Sequence, residues 1–134
     1  MTIRPTILTS IAIRDTLTTK ATIATITTAG AVTFTAAQIT GQLILRDPNG
    51  AGRADLLPTA AQLYAGFGRP EVGQSFRFVI RNTADAAETI TVTTNTGLTL
   101  SGTMTIAQNN SKEFLGVFTS PSAVTVYSLG TVVF

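Results

Sequence analysis

The chain has no cysteine, no histidine and no tryptophan, and only 12% of its 134 residues are charged. Each shortage excludes a kind of chemistry. Without cysteine there is no disulfide, no thiolate nucleophile and no Cys-based metal site, so the fold must hold without covalent staples. Without histidine there is no imidazole base, no His ligand and no Ser-His-Asp triad. The formal net charge is only +2. The arginines are scattered, with Arg77 and Arg81 the nearest to a cluster, whereas a phosphate backbone calls for a basic patch. Nucleic acid is therefore not an expected partner. No segment reaches the roughly 18 apolar residues of a membrane span. The opening MTIRPTILTSIAIR places arginine on both sides of a short, Thr-broken apolar run. It lacks a convincing hydrophobic region and cleavage site, so neither a membrane partner nor a secretory signal is expected.

Threonine is abundant, at about one residue in five. Its branched Cβ disfavours helix and packs well on a pleated surface. The length suits one domain with a real core, and the abundance of apolar and β-branched residues argues against intrinsic disorder. Residues 2–34 carry no aromatic before Phe34. Ile11 and Ile13 alternate, and Ile23 and Ile26 sit among Thr and Ala. This zone reads as an extended Thr-rich arm or short edge strands that need pairing or cover, and it is a candidate assembly segment. Residues 35–134 read as a compact β-rich domain.

The tetrapeptide TAAQ occurs twice, at Thr35–Gln38 and Thr59–Gln62. Threonine followed three residues later by glutamine fits a capping box, so both copies read as helix starts. After the second, Ala60, Leu63, Tyr64 and Phe67 share one helical face, and Gly66 and Gly68 limit its length. Gly41 stops the first. Gln42–Arg46 reads as a strand ending in the loop DPNGAGRAD. Ser75–Arg81 alternates, with Phe76, Phe78 and Ile80 on one face, and Glu88–Thr94 places Ile90 and Val92 together. Leu98 and Leu100, then Met104 and Ile106, continue the pattern; NNSK and TSPS separate the strands Glu113–Phe118 and Ala123–Tyr127. Closely spaced short strands imply an all-β fold. The expectation is an antiparallel sandwich or jelly-roll-like domain with one or two short helices. Phe76, Phe78, Leu98, Leu100, Phe114 and Phe118 are the expected core.

Candidate chemistry is sparse. The carboxylates Asp15, Asp47, Asp55, Glu71, Asp85, Glu88 and Glu113 are available for paired acid–base work, but most fall in or beside turns, where solvated carboxylates ordinarily sit. Ser111 and Lys112 are adjacent in a polar turn rather than a catalytic pair. Asp47, Asn49 and Asp55 invite comparison with a calcium loop, yet the spacing is wrong and Arg53 adds positive charge. A Gly-rich turn with an Asp47–Arg53 or Asp55–Arg53 pair is the expected reading, and Asn49-Gly50 suits a type I′ turn. Thr91/Thr93 and Thr103/Thr105 lack the regular spacing of an ice-binding ladder. Asn109-Asn110-Ser111 matches a glycosylation sequon, whose use is not expected without a signal sequence. Tyr64 and Tyr127 are the only tyrosines available to a glycan platform. No catalytic, cofactor-binding or metal-ligating residue is assigned, and no enzyme activity is expected.

LPTAAQL, VGQSFRFVIRNT, TITVTTNTGLTLSGTMTIA and SKEFLGVFTSPSAVTVYSLG together resemble small virion-surface proteins of tailed bacteriophages, the capsid decoration and head-fibre proteins. The likeness spans roughly Thr35–Gly130. It implies a non-enzymatic, β-rich building block of the virion, trimeric, bound to the major capsid protein or another virion component, with the N-terminal zone facing the capsid. It identifies no individual site residue. The alternative is a receptor- or glycan-binding fibre or adhesion module.

Overall fold

The computed structural model describes residues 20–134. Among the described residues, nine strands form two sheets, joined by two short helices. The strands are β1 (Ala24–Ile26), β2 (Leu43–Arg46), β3 (Arg53–Leu56), β4 (Ser75–Asn82), β5 (Ile90–Thr93), β6 (Leu98–Ser101), β7 (Thr105–Ile106), β8 (Asn110–Ser120) and β9 (Ala123–Val133). The helices are α1 (Ala36–Thr40) and α2 (Ala60–Gly66). The larger sheet runs β1-β2-β4-β8-β9-β6 and the smaller β3-β5-β7.

The fold is mostly β, as composition implies, but the sheets are mixed rather than antiparallel. β1–β2, β2–β4, β3–β5 and β6–β9 pair in parallel; β4–β8, β5–β7 and β8–β9 are antiparallel. Parallel neighbours need crossover connections. Here α1, α2 and the smaller sheet lie on these crossovers, a long-range arrangement that short alternating segments do not reveal.

Both helices start as expected. Thr35 Oγ1 accepts from Gln38 N and Gln38 Oε1 from Thr35 N; Thr59 and Gln62 repeat the exchange. Helices this short are marginal alone, so packing holds them: Ile39, Ala60 and Leu63 are buried, with Tyr64 and Phe67 against the same core. Gly41 is the cap of α1, but the left-handed backbone falls on Gln42, at φ 81°. Gln42 thus precedes the strand rather than belonging to it. Gly41 is needed for close approach, since a β-carbon there would collide with the Thr22 carbonyl.

One core takes residues from both sheets and both helices. Its aromatic spine runs from Phe67, stacked on Phe76 with centroids 4.4 Å apart, to Phe78 and Phe114, stacked at 4.9 Å, with Phe118 tilted 5.4 Å from Phe76. Gly116 faces Phe76 across the β4–β8 ladder, and the ring fills the space a side chain would need. Leu98 and Leu100 are half-buried and pack at the periphery of the core. Of the N-terminal zone, Ala24–Ile26 is the edge strand β1, Thr33 bridges Leu56, and Phe34 is buried. Ile11, Ile13 and Asp15 lie outside the described residues.

Candidate functional site

The loop that invited a metal comparison is built around an ion pair instead. Arg46 and Asp55 are both 0% exposed. Arg46 Nε donates to Asp55 Oδ2 at 2.7 Å and Nη2 to Oδ1 at 3.2 Å. The remaining guanidinium protons go to the carbonyls of Thr28, Gly30 and Asp47, and Asp55 Oδ1 also accepts from Val32 N. Every donor of the planar fork is used, the condition for burying such a charge. This corrects the expected Asp47–Arg53 or Asp55–Arg53 pair. Arg53 donates to the carbonyls of Pro48 and Asn49, while Asp47 Oδ1 accepts from Asn49 N. Asn49 and Gly50 both take positive φ, as a type I′ turn requires. The segment expected to be loop throughout becomes strand from Arg53, where the backbone pairs in parallel with β5, and the strand turns Asp55 inward to meet Arg46.

Two further inward polar side chains reach out from the larger sheet, Asn82 to β7 of the smaller sheet and Lys112 to the segment between β6 and β7. Asn82 Nδ2 donates to the carbonyls of Glu88 and Ile106, and its Oδ1 accepts from Ala84 N. Lys112 is 4% exposed, and its Nζ donates to the Thr103 carbonyl at 2.7 Å. Burial holds its pKa below the ordinary lysine value. Ser111 and Lys112, adjacent on β8, point to opposite faces, so they cannot act on one substrate atom.

The carboxylates do not converge. Glu88 Oε1 accepts from Gly50 N at 2.8 Å, Glu113 pairs with Arg77 on the surface at 2.6 Å, and Glu71 and Asp85 are exposed. Among the described residues no group of three or more acidic side chains is placed to hold a metal ion. Tyr64 packs edge-on against buried Phe118, whereas Tyr127 points outward from β9, so the tyrosines lie on opposite sides of the larger sheet. Thr91 pairs with Thr105 across β5–β7, and Thr93 Oγ1 donates to the Asp55 carbonyl. Asn109 sits in a turn at φ 61°, with Ser111 already in β8.

The feature that strand spacing missed is the far half of β9. The expected strand ended at Tyr127; the observed one continues to Val133. Leu129 (45%), Val132 (67%), Val133 (74%) and Phe134 (46%) are exposed. Their apolar run was readable, but nothing showed that it would be left uncovered. Leu129, Gly130 and Val132 line a groove of about 350 Å³ with Val79. Arg81 stacks over the Phe134 ring at 3.5 Å.

No protein-family model, curated protein or solved structure matches the chain.

Proposed function

We propose that this protein is a non-enzymatic structural component of a virion that decorates the capsid surface and works by assembly. The observation that carries the assembly part is the exposed apolar strand from Leu129 to Phe134. Apolar surface of this kind, grouped on one strand, is characteristic of contact sites. The polar groups that could have served chemistry support the same reading. Arg46, Asp55 and Asn82 are taken up in joining the two sheets, and Glu88 caps the loop at Gly50. The capsid itself enters through the resemblance of residues 35–130 to decoration and head-fibre proteins, which also implies three-chain units. We read the two sheets, with one core between them, as a sandwich-like variant of such a domain.

The test is co-sedimentation with empty capsid shells of the virus to which the reading assigns this chain. The reading predicts saturable binding at a fixed ratio to capsid subunits. Protein that stays in the supernatant, together with a reproducible signal on a glycan array, would overturn it in favour of a receptor-binding module.

A further inference from the structure

Among the described residues, no strand pairs with the edge of β9 beyond Tyr127. β6 pairs only with Val124–Tyr127, and Gly102, at φ 97°, follows the end of β6. On its other side β9 stays paired with β8 as far as Val133, and Phe134 N donates to the Asn109 carbonyl at 2.9 Å. Backbone groups on an antiparallel strand alternate between facing the neighbour and facing away. The Phe134–Asn109 bond sets the phase. Gly130, Val132 and Phe134 turn their amides and carbonyls toward β8; Thr131 and Val133 turn theirs to the open side.

We infer that this edge pairs with the same strand of a second copy, antiparallel about a two-fold axis at Val132. Thr131 of each copy then lies opposite Val133 of the other, and the two pairs exchange four main-chain hydrogen bonds. Val132 meets Val132 of the second copy in the closer, non-hydrogen-bonded geometry. Gly130 falls opposite Phe134. An added β-carbon on Gly130 would meet no atom of the described residues within 4 Å, which leaves space among them for the ring. An aromatic covering a glycine on the adjacent strand is a recurring means of fixing register. Each copy therefore carries both the aromatic and the bare position it covers, the self-complementarity that an isologous contact requires.

The second copy is favoured by charge as well. Ser128 to Phe134 contains no charged residue, so self-pairing opposes no like charges. Nor does the strand carry the lysine or proline that ordinarily guards a free edge. The contact rests on the assembly reading above and gives it a surface. It adds chains in pairs, so two three-chain units that close through all three of their edges would contain six.

Because the protein has no cysteine, Val132→Cys introduces its sole thiol. Under mild oxidation this variant should form disulfide-linked pairs at least tenfold faster than Thr131→Cys, whose thiols would sit diagonally, beyond easy disulfide reach. Val133→Pro removes an amide that faces the open edge and none that bonds β8. It should reduce the assembly to units with no two-fold contact while circular dichroism stays that of the parent. Equal cross-linking of the two cysteine variants, or an unchanged mass for the proline variant, would overturn the pairing. If the pairing fails while shells still bind the protein, only the edge contact is lost. Cross-linked pairs that ignore shells would support the contact and remove the capsid reading.

Discussion

Arg46 and Asp55 meet in the interior with no exposure to solvent, Nε 2.7 Å from Oδ2, and their contact joins β2 of the larger sheet to β3 of the smaller. The same guanidinium gathers the Thr28 and Gly30 carbonyls, so it also fixes the chain between β1 and Phe34. One pair thereby holds three separate segments in register.

Removing either partner strands a buried charge, which costs about 3–5 kcal/mol. Asp55→Ala and Arg46→Met should each lower unfolding free energy by that order. The double variant Arg46→Met with Asp55→Leu should lose less than the sum of the single effects. Urea denaturation of all four proteins, read as a double-mutant cycle, measures the coupling.

This pair also marks where the sequence was hard to read. The alternation of Phe76, Phe78 and Ile80, the two capping boxes and the burial of Phe114 and Phe118 follow from local period and local hydrogen bonding, so they were legible. The parallel pairings were not, since they depend on which distant strands become neighbours. Arg46 and Asp55 each look like ordinary polar residues beside a Gly-rich turn; only the topology makes them partners. The alternation in Ser75–Arg81 stops short of Asn82 and NNSK reads as a turn, whereas Asn82 and Lys112 are both buried strand residues. The open half of β9 was invisible for a related reason: its exposure is set by where β6 stops, at Ser101.

Lys112 gives a pH signature. Its folded-state pKa is lowered by burial, so in the basic range the unfolded chain holds the proton more tightly than the native one. Stability attributable to this group should therefore rise as pH climbs through its folded pKa toward the ordinary lysine value. Lys112→Met should lack that rise and be least inferior, or even superior, to the parent at neutral pH. Unfolding free energies of both proteins from neutral to basic pH, taken as a difference, measure the effect.

The two capping boxes should be separable. Thr35→Ala and Thr59→Ala each remove the hydroxyl that accepts a free amide at a helix start, at a cost of about 1 kcal/mol. The sites share no hydrogen bond, so the two losses should be nearly additive. Chemical denaturation of the single and double variants checks both the size and the sum.

Gly116 is a packing test. Its missing side chain leaves room for the Phe76 ring, so Gly116→Ala should overpack the core and cost about 1–3 kcal/mol. Adding Phe76→Leu should recover part of that loss if the clash is the cause. A thermal melt of the three proteins decides it, with the double variant melting above Gly116→Ala.

The central claim is that this protein works by assembling, and the absolute mass in solution tests it most directly. Light scattering after size exclusion, over at least a hundredfold dilution series, should report a multi-chain species that persists at micromolar protein. A mass of one chain at every concentration would contradict the account.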